Sequence, residues 1–201
     1  MIFNSPTYGS LTLVAVVENM VAFMNAVPSA QYHIVVGADS QVYYKTASPT
    51  SASSWDEAEY NKAPEGRLKA YQKTIGREPV VFYNQSVDFV TIIALHRQGQ
   101  GGRYFWAKQR TRRAKMALRQ RIYEEALRSL EVAGGLMKIL PAALKYEAKT
   151  VYDLEIHVDV GPNGQTKSMI QEIVGMIRGN GFTVRTKPEA YGAFVVADKH
   201  T

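Results

Sequence analysis

The chain has 201 residues, 46% hydrophobic and 21% charged, proportions of a globular protein that exclude disorder and collagen-like structure. It contains no cysteine, so disulfides, thiolate metal sites and cysteine nucleophiles are excluded, and any metal must be held by oxygen or imidazole. The net charge of +6 is concentrated between Arg97 and Arg128, where ten Lys and Arg residues face only Glu124 and Glu125. A positive field this local suits a polyanion, nucleic acid ahead of an acidic membrane surface, although a solvated helix face would carry the same charges. At this length a single domain over 1–201 with an appendage is expected.

In chain order, Leu11–Val27 has helical spacing at Leu11, Val14, Val17, Met20, Val21 and Met24, with Ser10 as N-cap. Glu18, Asn19 and Asn25 interrupt the stretch and no cationic region precedes it, so it reads as an amphipathic helix rather than a signal or membrane span. The expected protein is soluble and cytoplasmic. Tyr32–Asp39 is β-branched and short, a buried strand ending at a carboxylate. From 43 to 85 the composition turns to Ser, Thr, Pro, Glu and Lys, with a flexible ASPTSASS stretch and a short helix over Trp55–Tyr71, and this segment reads as an insertion within the domain. Ser86–Arg97 and Arg103–Arg110 flank a QGQGG turn and form a hairpin. Thr111–Met137 reads as a long basic helix, apolar at Leu118, Ile122, Ala126, Leu130 and Ala133, which must lie against a sheet. Residues 151–160 alternate strictly, with Asp153, Glu155, His157 and Asp159 on one face. A helix over Thr166–Arg178, a strand over Phe182–Lys187 and a last helix from Pro188 through Ala197 follow. Antiparallel strands followed by strand–helix alternation indicate a mixed α/β sheet flanked by helices.

Asp39 and Asp159 both stand near the ends of strands, and Asp198 stands late in the last helix. Ligands of α/β sheets gather beyond the carboxyl ends of strands, so Asp39 and Asp159 can share a divalent cation if their strands are parallel neighbours. The long helix supplies a fourth acid. Its apolar stripe puts Glu125 roughly 90° from the centre, at the sheet boundary, and Glu124 roughly 170° away, facing water. Clustered carboxylates suit Mg²⁺ or Mn²⁺, because cations relieve their mutual repulsion. Two ions about 3.5–4 Å apart would activate water and stabilise the leaving oxygen of a phosphodiester. Any one of these acids taken singly would be read as a cap, a turn residue or a surface charge.

The segments VVGADSQ (35–41), FVTIIALHRQGQGGRYF (89–105), RIYEEALRSL (121–130), EIHVDVGPNGQTKSMIQEIVGMIRGNGF (155–182) and KPEAYGAFVVADKHT (187–201) resemble the YkuK family of ribonuclease H-like proteins over most of the chain. The resemblance implies a ribonuclease H-like fold, with three antiparallel strands then two parallel ones, and an acidic site on Asp39, Glu125, Asp159 and Asp198. It implies a predicted nuclease whose substrate is not established. The 43–85 insertion enlarges the connection between the first two strands, which is short in a typical ribonuclease H fold.

GPNGQTKS fails the P-loop pattern, because Thr166 stands where glycine is needed before Lys167; Lys167 instead suits a phosphate at the helix start. His157 and His200, near Asp159 and Asp198, are candidate proton shuttles, with a structural hydrogen bond the equal alternative for His157. Arg97, Arg103, Lys108, Arg110, Arg112, Arg113, Lys115 and Arg119 would track phosphates, and Tyr104 or Trp106 would stack on a base if exposed. The leading expectation is a two-metal nuclease acting on RNA–DNA hybrid or structured, branched DNA. The alternatives are a noncatalytic nucleic-acid-binding module of the same fold and an assembly protein using the insertion. No membrane partner is expected, and the sequence admits a homodimer without specifying one.

Overall fold

The computed structural model describes residues 1–46, 83–112, 116–144, 151–163, 166–191, 197 and 200, with backbone alone for 44–46, 83–85 and 112. The elements run β1 (Ile2–Ser5), β2 (Gly9–Thr12), α1 (Leu13–Asn25), β3 (Gln31–Thr46), β4 (Tyr83–Arg97), β5 (Gly102–Arg112), α2 (Leu118–Ala143), β6 (Val151–His157), a 3-10 turn (Lys167–Met169), α3 (Ile170–Gly179) and β7 (Thr183–Arg185). One sheet has the order β2-β1-β5-β4-β3-β6-β7. Within it β5, β4 and β3 are antiparallel, and β6 and β7 add in parallel, as the sequence leads one to expect of a ribonuclease H-like sheet.

Alternation sorts the strands' side chains. Ile34, Val36, Ile93, Leu95, Phe105 and Ile156 enter the main core beneath α1, α2 and α3. Val35, Val90 and Ile92 point to the opposite face, where Ala197 near the C-terminus is buried on them. The helices approach closely: a Cβ on Gly135 of α2 would fall 2.8 Å from the Leu13 side chain of α1, which would have to shift to admit one. The β4–β5 turn needs glycine for another reason, since Gly99 and Gly101 adopt φ of 75° and 77° while Arg97 N donates to Gly101 O at 2.8 Å.

Several boundaries differ from the sequence reading. Residues 2–12 form an unforeseen hairpin on β5, because Leu11 pairs with Phe3 and Phe3 is buried. The helix therefore starts at Leu13, capped by Thr12 Oγ1, which accepts from Ala15 N at 3.2 Å, and not by Ser10. The stretch before the long helix is strand, because the β4–β5 ladder continues to Ser86↔Arg112; α2 begins only at Leu118 and runs on to Ala143. The arginines at 103–112 thus belong to a strand. β6 stops at His157 rather than 160, and β7 covers only 183–185. Pro188 lies in a turn, where Thr186 O accepts from Glu189 N and Ala190 N at 2.9 and 3.1 Å, instead of opening a helix. Most of the expected final helix lies outside the described residues. β3 and β4 claim both ends of the expected 43–85 insertion, with Thr46 opposite Tyr83; its remainder, including the ASPTSASS stretch and the 55–71 helix, lies outside the described residues.

Asp88 of β4, fully buried, locks the far end of this ladder. Arg110 Nε and Nη2 donate to its two oxygens at 2.6 and 2.9 Å, and Lys108 Nζ lies 3.1 Å from Oδ2. Burial alone would raise this carboxyl, yet the hydrogen bonds and charges of Arg110 and Lys108 outweigh it and hold Asp88 below its ordinary value. Stability from such a depressed group is present above the ordinary carboxylate range and is lost as pH falls through the folded-state value. Asp88→Asn is expected to cost about 1–3 kcal/mol at pH 7 and less at low pH, read from urea unfolding at both.

Candidate acidic site and its cationic surroundings

β3 and β6 run parallel with Gly37 opposite His157, so two residues further along each chain Asp39 and Asp159 stand side by side where β6 ends. The parallel-neighbour condition set by the sequence is met. α2 packs over β3 and delivers Glu125, which is 5% exposed. Ser40 Oγ donates to Glu125 Oε1 at 2.5 Å, and Arg121 Nη1 donates to Ser40 Oγ at 3.2 Å. Burial pushes the Glu125 carboxyl up to about 8. The charges of Asp39 and Asp159 add to the rise, against the Ser40 hydrogen bond and the Arg121 charge. At neutral pH, without a cation, Glu125 keeps its proton. Glu124 points elsewhere, 3.8 Å from Arg128 Nε one turn on. Asp198 lies outside the described residues.

The donors that converge are all hard carboxylate oxygens, and two of them raise the third, so their chemistry fits Mg²⁺ or Mn²⁺. As the side chains stand, no three His, Asp or Glu groups among the described residues close around an ion. Lys187 Nζ instead lies 2.7 Å from Asp159 Oδ1. Ser40, Arg121 and Lys187 are the site neighbours that sequence reasoning passed over. The signals were Ser40 beside Asp39, Arg121 one helical turn before Glu125, and Lys187 at the head of the KPEAYG segment.

His157 is fully buried, with Nε2 2.9 Å from Glu155 Oε1 and the Tyr191 ring edge-on at 4.8 Å. Burial pulls its pKa below the ordinary value despite Glu155, so the buried ring takes up a proton less readily than a free imidazole. Arg185 Nε donates to the other Glu155 oxygen at 3.0 Å. His200 stacks on Trp106 at 4.0 Å with 8° between planes, and Tyr104 follows at 5.7 Å, so His200 occupies the face those aromatics offer.

The expected cationic wall is distributed. Arg97 donates to Phe23 O at 2.8 Å and to the Tyr32 hydroxyl at 3.1 Å while lying over the Phe23 ring, a structural commitment. Arg103 bonds the Tyr8 hydroxyl and stacks on the same ring. Lys108 and Arg110 gather on Asp88, and Arg119 reaches Glu172 at 2.5 Å. Lys108, Arg110, Arg119 and Lys167 remain exposed. Arg113 and Lys115 lie outside the described residues, as does the side chain of Arg112.

A family model described as Ribonuclease H-like matches residues 62–201. The "Uncharacterized protein YkuK" of Bacillus subtilis (strain 168) is 27% identical over 206 residues, covering 100% of this chain and 96% of its own length. No solved structure matches. No helix among the described residues is long and apolar enough to cross a membrane. Because the Ser40 hydrogen bond opposes the rise at Glu125, Ser40→Ala is expected to move the Glu125 midpoint above 8, as followed by carboxyl ¹³C NMR, while Glu124→Gln leaves it in place.

Proposed function

Since the chain belongs to the ribonuclease H-like family, we propose that it is a divalent-metal-dependent nuclease that hydrolyses phosphodiester bonds in RNA–DNA hybrid or structured, branched DNA. The observation that carries this reading is Glu125, raised first by its burial and further by the charges of Asp39 and Asp159. A carboxyl buried beside two other acids costs stability, which a cation entering there would recover, and such perturbed groups mark functional sites. Asp39, Glu125, Asp159 and Asp198 would hold two Mg²⁺ or Mn²⁺ ions. The chemistry such ions supply when bound is water activation and charge neutralisation at a phosphodiester undergoing in-line displacement.

The chain's own residues do the positioning. The β3–β6 register sets Asp39 beside Asp159, and Ser40, itself held by Arg121, fixes the Glu125 carboxyl against β3. Exposed Lys108, Arg110, Arg119 and Lys167 offer charges to a nucleic-acid backbone. His157, sealed under Tyr191, supports the strand end rather than moving protons, and any shuttle would fall to His200.

A second reading, a noncatalytic nucleic-acid-binding module, is favoured by one observation: an ammonium group already sits on Asp159. End-labelled hybrid, duplex, single-stranded and four-way substrates with Mg²⁺ or Mn²⁺ separate the two. Asp39→Asn, Asp159→Asn and Glu125→Gln are each expected to slow cleavage about 100-fold or more, and Glu124→Gln to leave it unchanged. Cleavage that survives Asp39→Asn would sink the nuclease reading. Salt-sensitive binding with no cleavage would favour the module. Ion binding should also release the Glu125 proton near pH 7, so calorimetry is expected to show affinity rising with pH up to about 8 and a heat that depends on buffer ionisation.

A further inference from the structure

Lys187 is built into the acidic site rather than resting on it. Its backbone N donates to Val160 O at 2.9 Å, just as Val158 N donates to Arg185 O at 3.0 Å, so the chain beyond β7 is stitched to the chain beyond β6. Its stem lies on Gly161, where a Cβ would fall 3.1 Å from Lys187 Cβ and 3.7 Å from Cδ. Glycine at 161 therefore lets the side chain pass close along the backbone and place its ammonium 2.7 Å from Asp159 Oδ1. An ordinary surface ion pair has two long side chains meeting in water and is worth little. Here one partner is a short aspartate, 26% exposed, two residues past the Gly37–His157 pair that ends the β3–β6 ladder, and the other, 42% exposed at its side chain, is anchored at its own backbone.

We propose that Lys187 is a tethered counter-ion that competes with a divalent cation for Asp159, and so raises the concentration of Mg²⁺ or Mn²⁺ at which the acidic site fills. The inference rests on the reading of that site as a metal site. A divalent ion on Asp159 must either displace the ammonium from Oδ1 or sit beside it. Either route carries an electrostatic penalty that a neutral side chain at 187 would not impose.

The test measures binding of Mn²⁺ alone to the full chain, by the paramagnetic resonance signal of unbound Mn²⁺, for wild type, Lys187→Met, Lys187→Gln, Lys187→Arg and the double variant Lys187→Met with Asp159→Asn. Both neutral variants are expected to bind Mn²⁺ about tenfold more tightly, and Lys187→Arg to resemble wild type. The double variant is expected to lose the gain. A larger Mn²⁺-induced rise in melting temperature for Lys187→Met than for wild type supports the same conclusion and shows that the variant folds. Equal or weaker binding by both neutral variants, with wild type still binding, overturns the role of Lys187 and leaves the metal site standing. Absence of saturable binding by every chain overturns both.

Discussion

The electrostatic coupling of three acids, with Asp39 and Asp159 acting on the buried Glu125, is the constraint on which this molecule turns. Asp39 is held in β3 by its pairing with Val90 of β4, Asp159 follows two residues after the last β3–β6 pair, and Glu125 is buried on α2. The repulsion has three outlets: a proton on Glu125, the Ser40 and Arg121 contacts that draw on its charge, and the ammonium of Lys187 on Asp159. All three are forms of positive charge or polarised hydrogen brought to carboxylate oxygens. A protein that only needed a stable sheet would gain by placing apolar side chains there. The acids are therefore kept at a cost in stability.

The parts of this arrangement that follow strong periodicity were legible in the sequence. Strict alternation through 151–157 identified β6, the β-branched run ending at Asp39 identified β3, and the helical stripe chose Glu125 over Glu124. What escaped was set by contacts between distant residues. Nothing local says that Leu11 pairs with Phe3 rather than joining the following helix. Nothing local says that the strand over 103–110 runs on through Thr111 and Arg112, opposite Val87 and Ser86, before the helix starts at Leu118. Helix propensity of the arginines competes with that ladder and loses.

The charge argument changes most on folding. A count along the sequence treats each arginine between 97 and 128 as an equal contribution to a field. In three dimensions Arg97 and Arg103 are packing elements that cover aromatic rings near α1, and Arg121 is a servant of the acidic site through Ser40. The residues that keep solvent-facing charge stand on β5, at the start of α2 and at the turn before α3. Net charge sets solubility and long-range attraction, but which cations can meet a backbone phosphate is decided by what each has already been paired with.

The way β1 joins the sheet carries one more consequence. Among the described residues it meets β5 through Asn4 opposite Trp106, while β5 runs on to Arg112. Beyond that point Lys108 and Arg110 both reach across to the buried Asp88, so the charges that stay exposed on β5 are also the ones that bind it to β4. Neutralising them for any purpose would loosen that strand as well as change the surface.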